Sequence, residues 1–321
     1  MARALWCVAP RQAELRESAL PALQQGGALV RTLWSGISRG TERLVFNGLH
    51  DPVHRARMRG PMQEGEFPFP VKYGYCAVGR VEDGPLEFVG RNVFVLHPHQ
   101  NLFVAPADAL TPIPAGVPPK RATLTANMET ALNALWDAGA GPGDRIVVVG
   151  AGVVGLLIAS LAARLPGTEV TVIDKASDRR TLAERLGARF GGAEAAGQEA
   201  DLVFHASATG EGLALALACC GLESTLVEMS WYGDAAITVP LGGDFHSRRI
   251  KLISSQVTHV SPSRRPRWTP ARRRAKAAEL LSDDRLDALV ANEVAFRDLP
   301  AALADILAPG APGLPPVVRY D

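Results

Sequence analysis

Cysteine is scarce in this sequence, and its spacing excludes two common kinds of stabilising site. The 321 residues include four cysteines, and no two of them form a C-x-x-C pair: Cys7, Cys76, Cys219 and Cys220. A disulfide framework or a four-cysteine zinc cluster needs paired cysteines at short, regular spacing. Because disulfides persist mainly in oxidising compartments, we expect reduced thiols and a cytoplasmic protein.

An excess of charge of one sign is also missing. Lys and Arg number 34 and Asp and Glu number 33, which gives a net charge of +1. A protein that binds nucleic acid through its whole surface is basic, so we expect no nucleic-acid partner.

Signals for export or membrane insertion are weak. The amino terminus becomes polar after one short apolar run, unlike a secretory signal. The segment 146–163 has 18 residues without a charge, the minimum for a membrane span. Its first half, however, is a β-branched block that leads into three glycines, which is typical of a buried strand and a tight turn. We therefore expect no membrane partner.

Two kinds of sequence pattern divide the chain. Residues 1–120 contain short β-type runs separated by Gly and Pro, which predicts a β-rich domain. From Leu124 onward, strand-like runs alternate with helix-like segments, the pattern of a parallel sheet built from βαβ units. The predicted fold is α/β, with a β-rich domain at 1–122, a doubly wound parallel-sheet domain at 123–258, and a return to the first domain at 259–321.

A glycine-rich turn predicts a dinucleotide site. The strand-like run RIVVVG leads into GAGVVG, which comprises Gly150, Gly152, Val153, Val154 and Gly155, and a helix-like segment follows. In this motif the first glycine allows the tight turn, the second admits the pyrophosphate, and the third lets the helix pack closely on the strand. The helix amino terminus adds unpaired N–H donors for the phosphates.

The cofactor predicted from this motif is NAD, with NADP as the alternative. Asp174 ends the next strand-like run, 19 residues past Gly155. A carboxylate there accepts hydrogen bonds from the ribose hydroxyls and repels a 2′-phosphate. Lys175 and Arg179 follow closely and leave NADP open.

The order of these parts resembles the medium-chain dehydrogenase superfamily, which includes the zinc alcohol dehydrogenases and quinone reductases. The segments WSGISRGTE and YGYCAVGRVE lie where zinc members carry G-I-C and G-H-E. The resemblance covers essentially the whole chain and implies a GroES-like catalytic domain beside a Rossmann domain. It further implies that Thr130 lies against the nicotinamide and that Arg39 contacts the pyrophosphate. SGIS-x-GTE is similar to the branch with the bacteriochlorophyllide hydroxyethyl dehydrogenases and related bacterial dehydrogenases.

The zinc ligands of the superfamily are missing at the matching positions. Ser38 replaces the first cysteine, Tyr75 and Cys76 replace the His-Glu pair, and Ala126 lies near the last ligand position. Hydroxyl and phenol groups are poor zinc ligands beside thiolate, imidazole and carboxylate. The four-cysteine lobe is absent too, since VFVLHPHQNLFVAP runs from strand to strand. We therefore predict no zinc, with a different site at Cys76, His97 and His99 as the open alternative.

Without a metal, a hydrogen-bond donor or proton carrier must stabilise the developing alkoxide. The candidates for this role are His97, Tyr75, Ser38 and Thr41. His97 is the preferred acid–base group because the unperturbed pKa of histidine lies near neutrality. His205 lies in the HASATGEG turn, which we expect to border the cofactor together with Gly210; we interpret His205 as a buried histidine with satisfied partners.

A basic segment extends over residues 245–278, with ten Lys and Arg and no Asp or Glu. If Arg248, Arg249 and Lys251 face the active site, they favour an anionic substrate. Arg272, Arg273 and Arg274 fall on consecutive helical positions, about 100° apart, so at most part of the trio can face one site. We expect single alanine changes there to alter stability by less than ~0.5 kcal/mol, as surface substitutions usually do.

Three functions remain open from the sequence. The first is a zinc-independent, NAD(P)-dependent dehydrogenase that acts on a small-molecule alcohol or ketone. The second is a quinone or enone reductase of the same fold. The third is a non-catalytic dinucleotide-binding protein. For each of them we expect a homodimer.

Overall fold

The chain forms two compact units, and the second is inserted into the first along the sequence. The computed structural model describes residues 1–49, 51–195 and 199–321. Residues Met1–Ala126 and Arg274–Asp321 form one unit, called here the β-rich unit, and Asn127–Arg273 form the other, called the Rossmann unit. The boundaries expected from the sequence were 122/123 and 258/259, so the second one lies later in the chain than its composition indicated.

The β-rich unit contains two sheets with strand orders β2-β1-β5-β4 and β16-β17-β3-β6-β7-β9, and β8 pairs with β3. The strands are β1 (Arg3–Ala9), β2 (Gln12–Glu17), β3 (Gly27–Gly36), β4 (Glu64–Gly65), β5 (Val71–Lys72), β6 (Ala77–Asp83), β7 (Asn92–Val95), β8 (Leu102–Pro106), β9 (Thr111–Pro112), β16 (Glu293–Ala295) and β17 (Val317–Arg319). β17 pairs antiparallel with β3, so the last strand of the chain completes a sheet begun near its start.

Short helices connect these strands. They are α1 (Arg39–Asn47), α2 (Arg55–Met58), α3 (Pro119–Ala122) and α10 (Leu299–Ile306), with 3-10 turns at Pro52–His54, Ala107–Ala109, Asp284–Val290 and Phe296–Asp298. Gly48 ends α1 at a φ of 69°, and its N–H bonds back to the carbonyls of Leu44 and Val45. A left-handed residue of this kind is usually glycine, because a side chain there is strained.

The Rossmann unit contains a six-stranded parallel sheet in the order β12-β11-β10-β13-β14-β15. Its strands are β10 (Arg145–Val149), β11 (Glu169–Ile173), β12 (Arg189–Gly191), β13 (Ala200–His205), β14 (Cys220–Glu228) and β15 (Lys251–Ser254). This is the 3-2-1-4-5-6 order of dinucleotide-binding sheets, whose ligands lie at the carboxyl ends of the strands where the order reverses. That reversal falls between β10 and β13.

The helices that accompany this sheet are α5 (Val153–Ala162), α6 (Arg180–Arg185), α7 (Gly210–Ala218) and α8 (Asp244–Ser247), with 3-10 turns at Ser177–Arg179 and Ala193–Ala195. The two boundaries between the units fall within two further helices, α4 (Thr125–Ala138) and α9 (Pro270–Leu280). The expected α/β class, with a β-rich domain and a Rossmann domain, is confirmed.

The 18-residue uncharged segment is divided between β10 and α5, as its β-branched half and its glycines predicted. Both elements are buried inside the Rossmann unit. Over the described residues, the helices are all too short or too polar to span a bilayer. The connection from β7 to β8 runs directly from Val95 to Leu102, without an inserted lobe.

Candidate functional site

The glycine-rich turn has the geometry that a dinucleotide requires. Gly150 has a φ of +112°, and a Cβ there would lie 2.8 Å from the backbone of Ala206 and Ser207. A Cβ on Gly155 would lie 1.9 Å from the Gly150 carbonyl oxygen, so only glycine lets α5 pack this closely on β10. Gly152 differs, because a Cβ there would meet no atom within 4 Å. The open side of the turn is therefore at Gly152, where the motif places a pyrophosphate.

Asp174 is held next to this turn by two backbone groups. Its Oδ2 accepts a hydrogen bond from the Ala151 N–H at 2.6 Å, and its Oδ1 accepts one from the Ala176 N–H at 2.8 Å. Arg179 is buried and donates from Nη1 to the Ala151 carbonyl at 3.1 Å, while Lys175 is exposed. The carboxylate thus lies at the end of β11 where ribose hydroxyls bind in this fold.

Three other predicted cofactor residues have different surroundings. Val153 and Val154 begin α5, where the N–H groups of the first turn lack helical acceptors. Thr130 is half-buried on α4. Arg39 begins α1, and its guanidinium donates to the carbonyls of Ile306 and Gly313 at 3.0 and 2.8 Å. These bonds give Arg39 a structural role at the end of α10, and they do not support the expected contact with a pyrophosphate.

Three hydroxyl side chains at positions that the resemblance assigns to a zinc pocket meet in the β-rich unit. The Tyr75 hydroxyl donates to Thr41 Oγ1 at 3.3 Å, and Ser38 is a further hydrogen-bond partner of Tyr75. Burial, followed by the charges of Cys76 and Tyr73, raises the pKa of Tyr75 well above its usual value. The phenol is therefore neutral at physiological pH and is a hydrogen-bond donor.

A buried chain of polar groups lies beside these hydroxyls. The imidazole of His99 bonds through Nδ1 to Ser35 Oγ at 2.7 Å and through Nε2 to Glu42 Oε2 at 3.0 Å. Ser35 Oγ also contacts the Tyr320 hydroxyl at 3.0 Å, and Glu42 Oε1 accepts the Ser38 N–H at 2.7 Å. Sequence reasoning did not select Glu42 or Tyr320. The only available signal was the glutamate in the quoted GTE segment, because Tyr320 lies 285 residues from Ser35.

His97 was preferred because the pKa of a free histidine lies near neutrality, and its surroundings in the fold remove that property. Its ring is 4% exposed and stacks on Phe103 with a centroid distance of 3.7 Å, and its Nδ1 donates to the Pro98 carbonyl at 2.9 Å. Burial lowers its pKa to about 3. A histidine that stays neutral over the physiological range is a poor proton carrier, so the argument from an unperturbed pKa does not apply.

The donor set at these positions does not fit zinc. Burial, followed by the charge of Glu42, raises the pKa of the Cys76 thiol well above its usual value, which disfavours the thiolate that binds zinc. His97 uses one ring nitrogen for a backbone carbonyl, and His99 uses both for side chains. Within residues 1–49, 51–195 and 199–321, no three His, Cys, Asp or Glu side chains are arranged to hold a metal ion. The prediction of no zinc nevertheless stays a prediction.

The basic segment does not form one surface. Arg248 pairs with Glu199 and bonds to the carbonyl of Cys220, while Arg249 pairs with Glu223 at 2.9 Å. These contacts lie at the amino ends of β13 and β14, the opposite edge of the sheet from the glycine-rich turn. They give no support to an anionic-substrate site at Arg248 and Arg249.

Arg273 contradicts the expectation that each alanine change in the arginine trio has the small cost of a surface substitution. It is 2% exposed, and its Nε donates to Glu129 Oε1 at 3.0 Å. Its Nη1 donates to Asn133 Oδ1 and its Nη2 to the carbonyl of Val257. The expected cost below ~0.5 kcal/mol is therefore wrong for Arg273, because a change there removes the partner of a buried carboxylate.

No family model matches the chain, but two curated proteins of Escherichia coli strain K12 are similar to it. Galactitol 1-phosphate 5-dehydrogenase is 23% identical over 260 residues, which cover 75% of this chain and 70% of that protein. D-guloside 3-dehydrogenase is 24% identical over 312 residues, which cover 88% of this chain and 89% of that protein.

Solved structures share the whole fold. A protein of Sinorhizobium meliloti 1021 described as a zinc-binding dehydrogenase, bound to NADP, superimposes with a TM-score of 0.78 at 17% identity, covering 99% of each chain. An alcohol dehydrogenase of Escherichia coli CFT073, complexed with NADH, gives 0.77 at 17% identity and again covers 99% of each chain. The expected fold is confirmed: the chain shares the fold of these dehydrogenases over its whole length, and its sequence relatives are dehydrogenases.

Proposed function

We propose that this protein is an NAD(P)-dependent dehydrogenase that interconverts an alcohol and a ketone without zinc. The observation that carries the proposal is the turn from Gly150 to Gly155, with its open side at Gly152 and Asp174 fixed beside it. A glycine-rich turn that only connected a strand to a helix would not require an ordered carboxylate at the end of the next strand.

The Rossmann unit has the groups that hold a dinucleotide. The N–H groups of Val153 and Val154 lie in the first turn of α5, where they have no helical acceptors and where the helix dipole favours an anion. Asp174 would accept hydrogen bonds from the ribose hydroxyls, and its charge favours NAD over NADP. When bound, the nicotinamide accepts or donates the hydride.

The β-rich unit offers a hydroxyl-based replacement for a metal. Tyr75 is neutral, and its hydroxyl lies within a cluster with Ser38 and Thr41. A neutral phenol can donate a hydrogen bond to an oxygen that gains negative charge. Zinc independence is proposed because these side chains, and the protonated thiol of Cys76, replace good zinc ligands with poor ones.

The substrate class that we propose is a polyol or a related secondary alcohol. Support comes from the sequence relatives, whose names specify galactitol 1-phosphate and D-guloside as substrates. A homodimer is proposed as well, since β15 is the outer strand of its sheet and Leu252 on it is 37% exposed. Light scattering on the purified chain measures the oligomeric state.

The cofactor proposal is tested by two matched glycine variants. In Gly152→Ala the new methyl group meets no protein atom, so the fold is preserved while the pyrophosphate position is blocked. Gly141→Ala also places a methyl group in open space, away from the turn, and is the control. Titration by NADH fluorescence should show binding at least tenfold weaker in Gly152→Ala and unchanged in Gly141→Ala. Equal affinity in all three proteins would refute the assignment.

The reaction is tested by a substrate screen that separates the three functions. Galactitol, galactitol 1-phosphate, 2,3-butanediol, 2-cyclohexenone and benzoquinone are supplied with NAD(H) and NADP(H), and absorbance at the NADH band is followed. Turnover of an alcohol supports the proposal, while reduction of only the enone or the quinone favours a reductase. Cofactor binding without any turnover favours the non-catalytic protein.

A further inference from the structure

A serine, a histidine and a glutamate form a hydrogen-bonded chain at the carboxyl ends of β13 and β14. His205 ends β13 and is fully buried. Its Nδ1 lies 2.8 Å from Glu228 Oε2 on β14, and its Nε2 lies 2.7 Å from Ser207 Oγ. The Tyr232 hydroxyl donates to the same Glu228 oxygen at 2.9 Å. His205 is therefore a buried histidine with satisfied partners, as expected. Its partners form a continuous chain of hydrogen bonds from Ser207 to Glu228.

The direction of the chain follows from the charge of Glu228. Burial raises the pKa of this carboxyl group, but the hydrogen bond and charge of His205, the Ser230 N–H and the Tyr232 hydroxyl together lower it further, below its usual value. Ionised Glu228 only accepts, so His205 Nδ1 must donate to it. In the neutral ring Nε2 is then an acceptor, and the Ser207 hydroxyl must donate to it. Because the Ser207 hydroxyl is used in this way, the Thr209 hydroxyl at 3.1 Å must donate to Ser207 Oγ. One lone pair of Ser207 Oγ is left to accept a proton from elsewhere.

Gly212 leaves room for this chain of groups. A Cβ on Gly212, in the first turn of α7, would lie 2.0 Å from Ser207 Oγ and 2.9 Å from His205 Nε2. Ala208 has a φ of 55°, an uncommon conformation for a residue with a side chain, and its N–H bonds to Ser230 Oγ at 3.0 Å. Glycine at one position and a strained alanine at another place the serine hydroxyl against the ring.

The chain of groups borders the glycine-rich turn. The Ala206 N–H donates to the Val149 carbonyl at 2.8 Å, and Gly150 packs directly on the backbone of Ala206 and Ser207. Both features lie where the strand order reverses between β10 and β13, in the crevice that takes the dinucleotide. β13 and β14 belong to the second mononucleotide-binding half of such a sheet, which places Ser207 on the nicotinamide side.

We propose that Ser207, His205 and Glu228 form the proton relay of this dehydrogenase, with the Ser207 hydroxyl as its entry. The inference rests on the proposed function. In the oxidation of an alcohol, a bound nicotinamide would take the hydride with both electrons of the C–H bond. The hydroxyl proton goes to Ser207 Oγ while the Ser207 proton moves to His205 Nε2, which leaves a ketone and an imidazolium beside the Glu228 carboxylate. Because the ring is fully buried, the proton leaves through Glu228, whose side chain is 16% exposed.

The relay has few other charged neighbours. From β14 and the loop after it, Glu228 and Tyr232 contact the ring. β10 places Val149 opposite His205, and α7 places Gly212 against it, while Glu211 in the first turn of α7 is exposed.

The position of the relay is tested without turnover. The full chain, labelled with ¹⁵N-histidine, is saturated with NAD⁺ or with ADP-ribose, which lacks the nicotinamide. His205→Gln identifies the resonances, and exposed His246→Gln is the matched control. NAD⁺ should shift the Nε2 resonance of His205, and ADP-ribose should leave it in place. No shift with NAD⁺ bound would overturn the placement, and failure of NAD⁺ to bind would overturn the proposed function as well.

The role of the relay is tested by Ser207→Ala, which removes one oxygen and preserves the ring and the carboxylate. With the alcohol that is turned over in the screen, kcat should fall about 100-fold or more, the usual effect of losing an acid–base group. The NADH dissociation constant should stay within about threefold. His205→Gln should lower kcat as well, with the NADH dissociation constant again within about threefold. A rise in KM or in the NADH constant with kcat unchanged would indicate a binding or structural role and overturn the relay.

Discussion

Replacing Arg273 with alanine should destabilise the Rossmann unit strongly, whereas the same change at the neighbouring Arg272 should have a small effect. Arg273 and Glu129 have side chains that are 2% and 4% exposed, and their atoms Nε and Oε1 are 3.0 Å apart. Removing one partner of a buried ion pair typically costs about 3–5 kcal/mol, because the other charge loses its compensation. The same change removes the donor to Asn133 and to the Val257 carbonyl.

Arg272 provides the control for this prediction. It is exposed, and its guanidinium lies over the Trp268 ring at 4.2 Å from the centroid. An exposed cation–π contact contributes about 0.5–1 kcal/mol, so Arg272→Ala should cost no more than that. Urea unfolding followed by tryptophan fluorescence measures both, since Trp136 and Trp268 contact each other in this unit.

A third variant separates the charge from the packing. Arg273→Met combined with Glu129→Gln replaces both charges by neutral groups of similar length, and it should recover a large part of the stability that Arg273→Ala loses. A cost below about 1 kcal/mol for Arg273→Ala, or equal costs for Arg272→Ala and Arg273→Ala, would refute the reasoning.

Three further predictions concern the cofactor, the buried histidine and the metal. Asp174→Ala should weaken NADH binding by about 1.5–3 kcal/mol, the usual contribution of hydrogen bonds to a charged group, and should narrow the preference over NADPH; tighter NADPH binding by the unaltered protein would contradict it. His97 has a pKa of about 3 in the fold. Below pH 6.5 the unfolded chain therefore takes up a proton that the folded chain does not, so the free energy of unfolding decreases as the pH is lowered. His97→Gln should reduce the slope of unfolding free energy by about 1.4 kcal/mol per pH unit between pH 6 and 4, measured by urea unfolding at each pH; an unchanged slope would mean that the ring is protonated in the fold. Metal analysis after purification without chelators should find well below one zinc per chain, and one equivalent that is lost in Cys76→Ser would restore a metal mechanism.

The resemblance to the superfamily and the dinucleotide turn could be predicted because their signals are local. The alternation of strands and helices is a periodicity, and the roles of Gly150, Gly152 and Gly155 depend on backbone geometry within one turn. The position of Asp174 follows from the end of the next strand. Each of these features is specified by residues that are close together in the sequence.

The state of each polar side chain depended on contacts between distant residues. His97 was selected for a pKa near neutrality, but packing against Phe103 lowers that pKa to about 3. Arg39 was assigned to the pyrophosphate, but carbonyls more than 260 residues away accept its hydrogen bonds. A sequence specifies which group can titrate or donate, whereas burial and partners decide whether it does.

The same distinction applies to the groups that sequence reasoning missed. Tyr320 meets Ser35 only because β17 returns to β3 at the end of the chain. Ser207 and Glu228 meet His205 because two parallel strands end side by side and Gly212 leaves space for the hydroxyl. The sequence alone determined the fold class and the dinucleotide motif, since both rest on local periodicity and turn geometry. Only the tertiary structure decided which acids, bases and hydroxyls hydrogen-bond to one another and which of them are charged. Hydrogen bonding and desolvation depend on neighbours in space, and those neighbours are often far apart in the sequence.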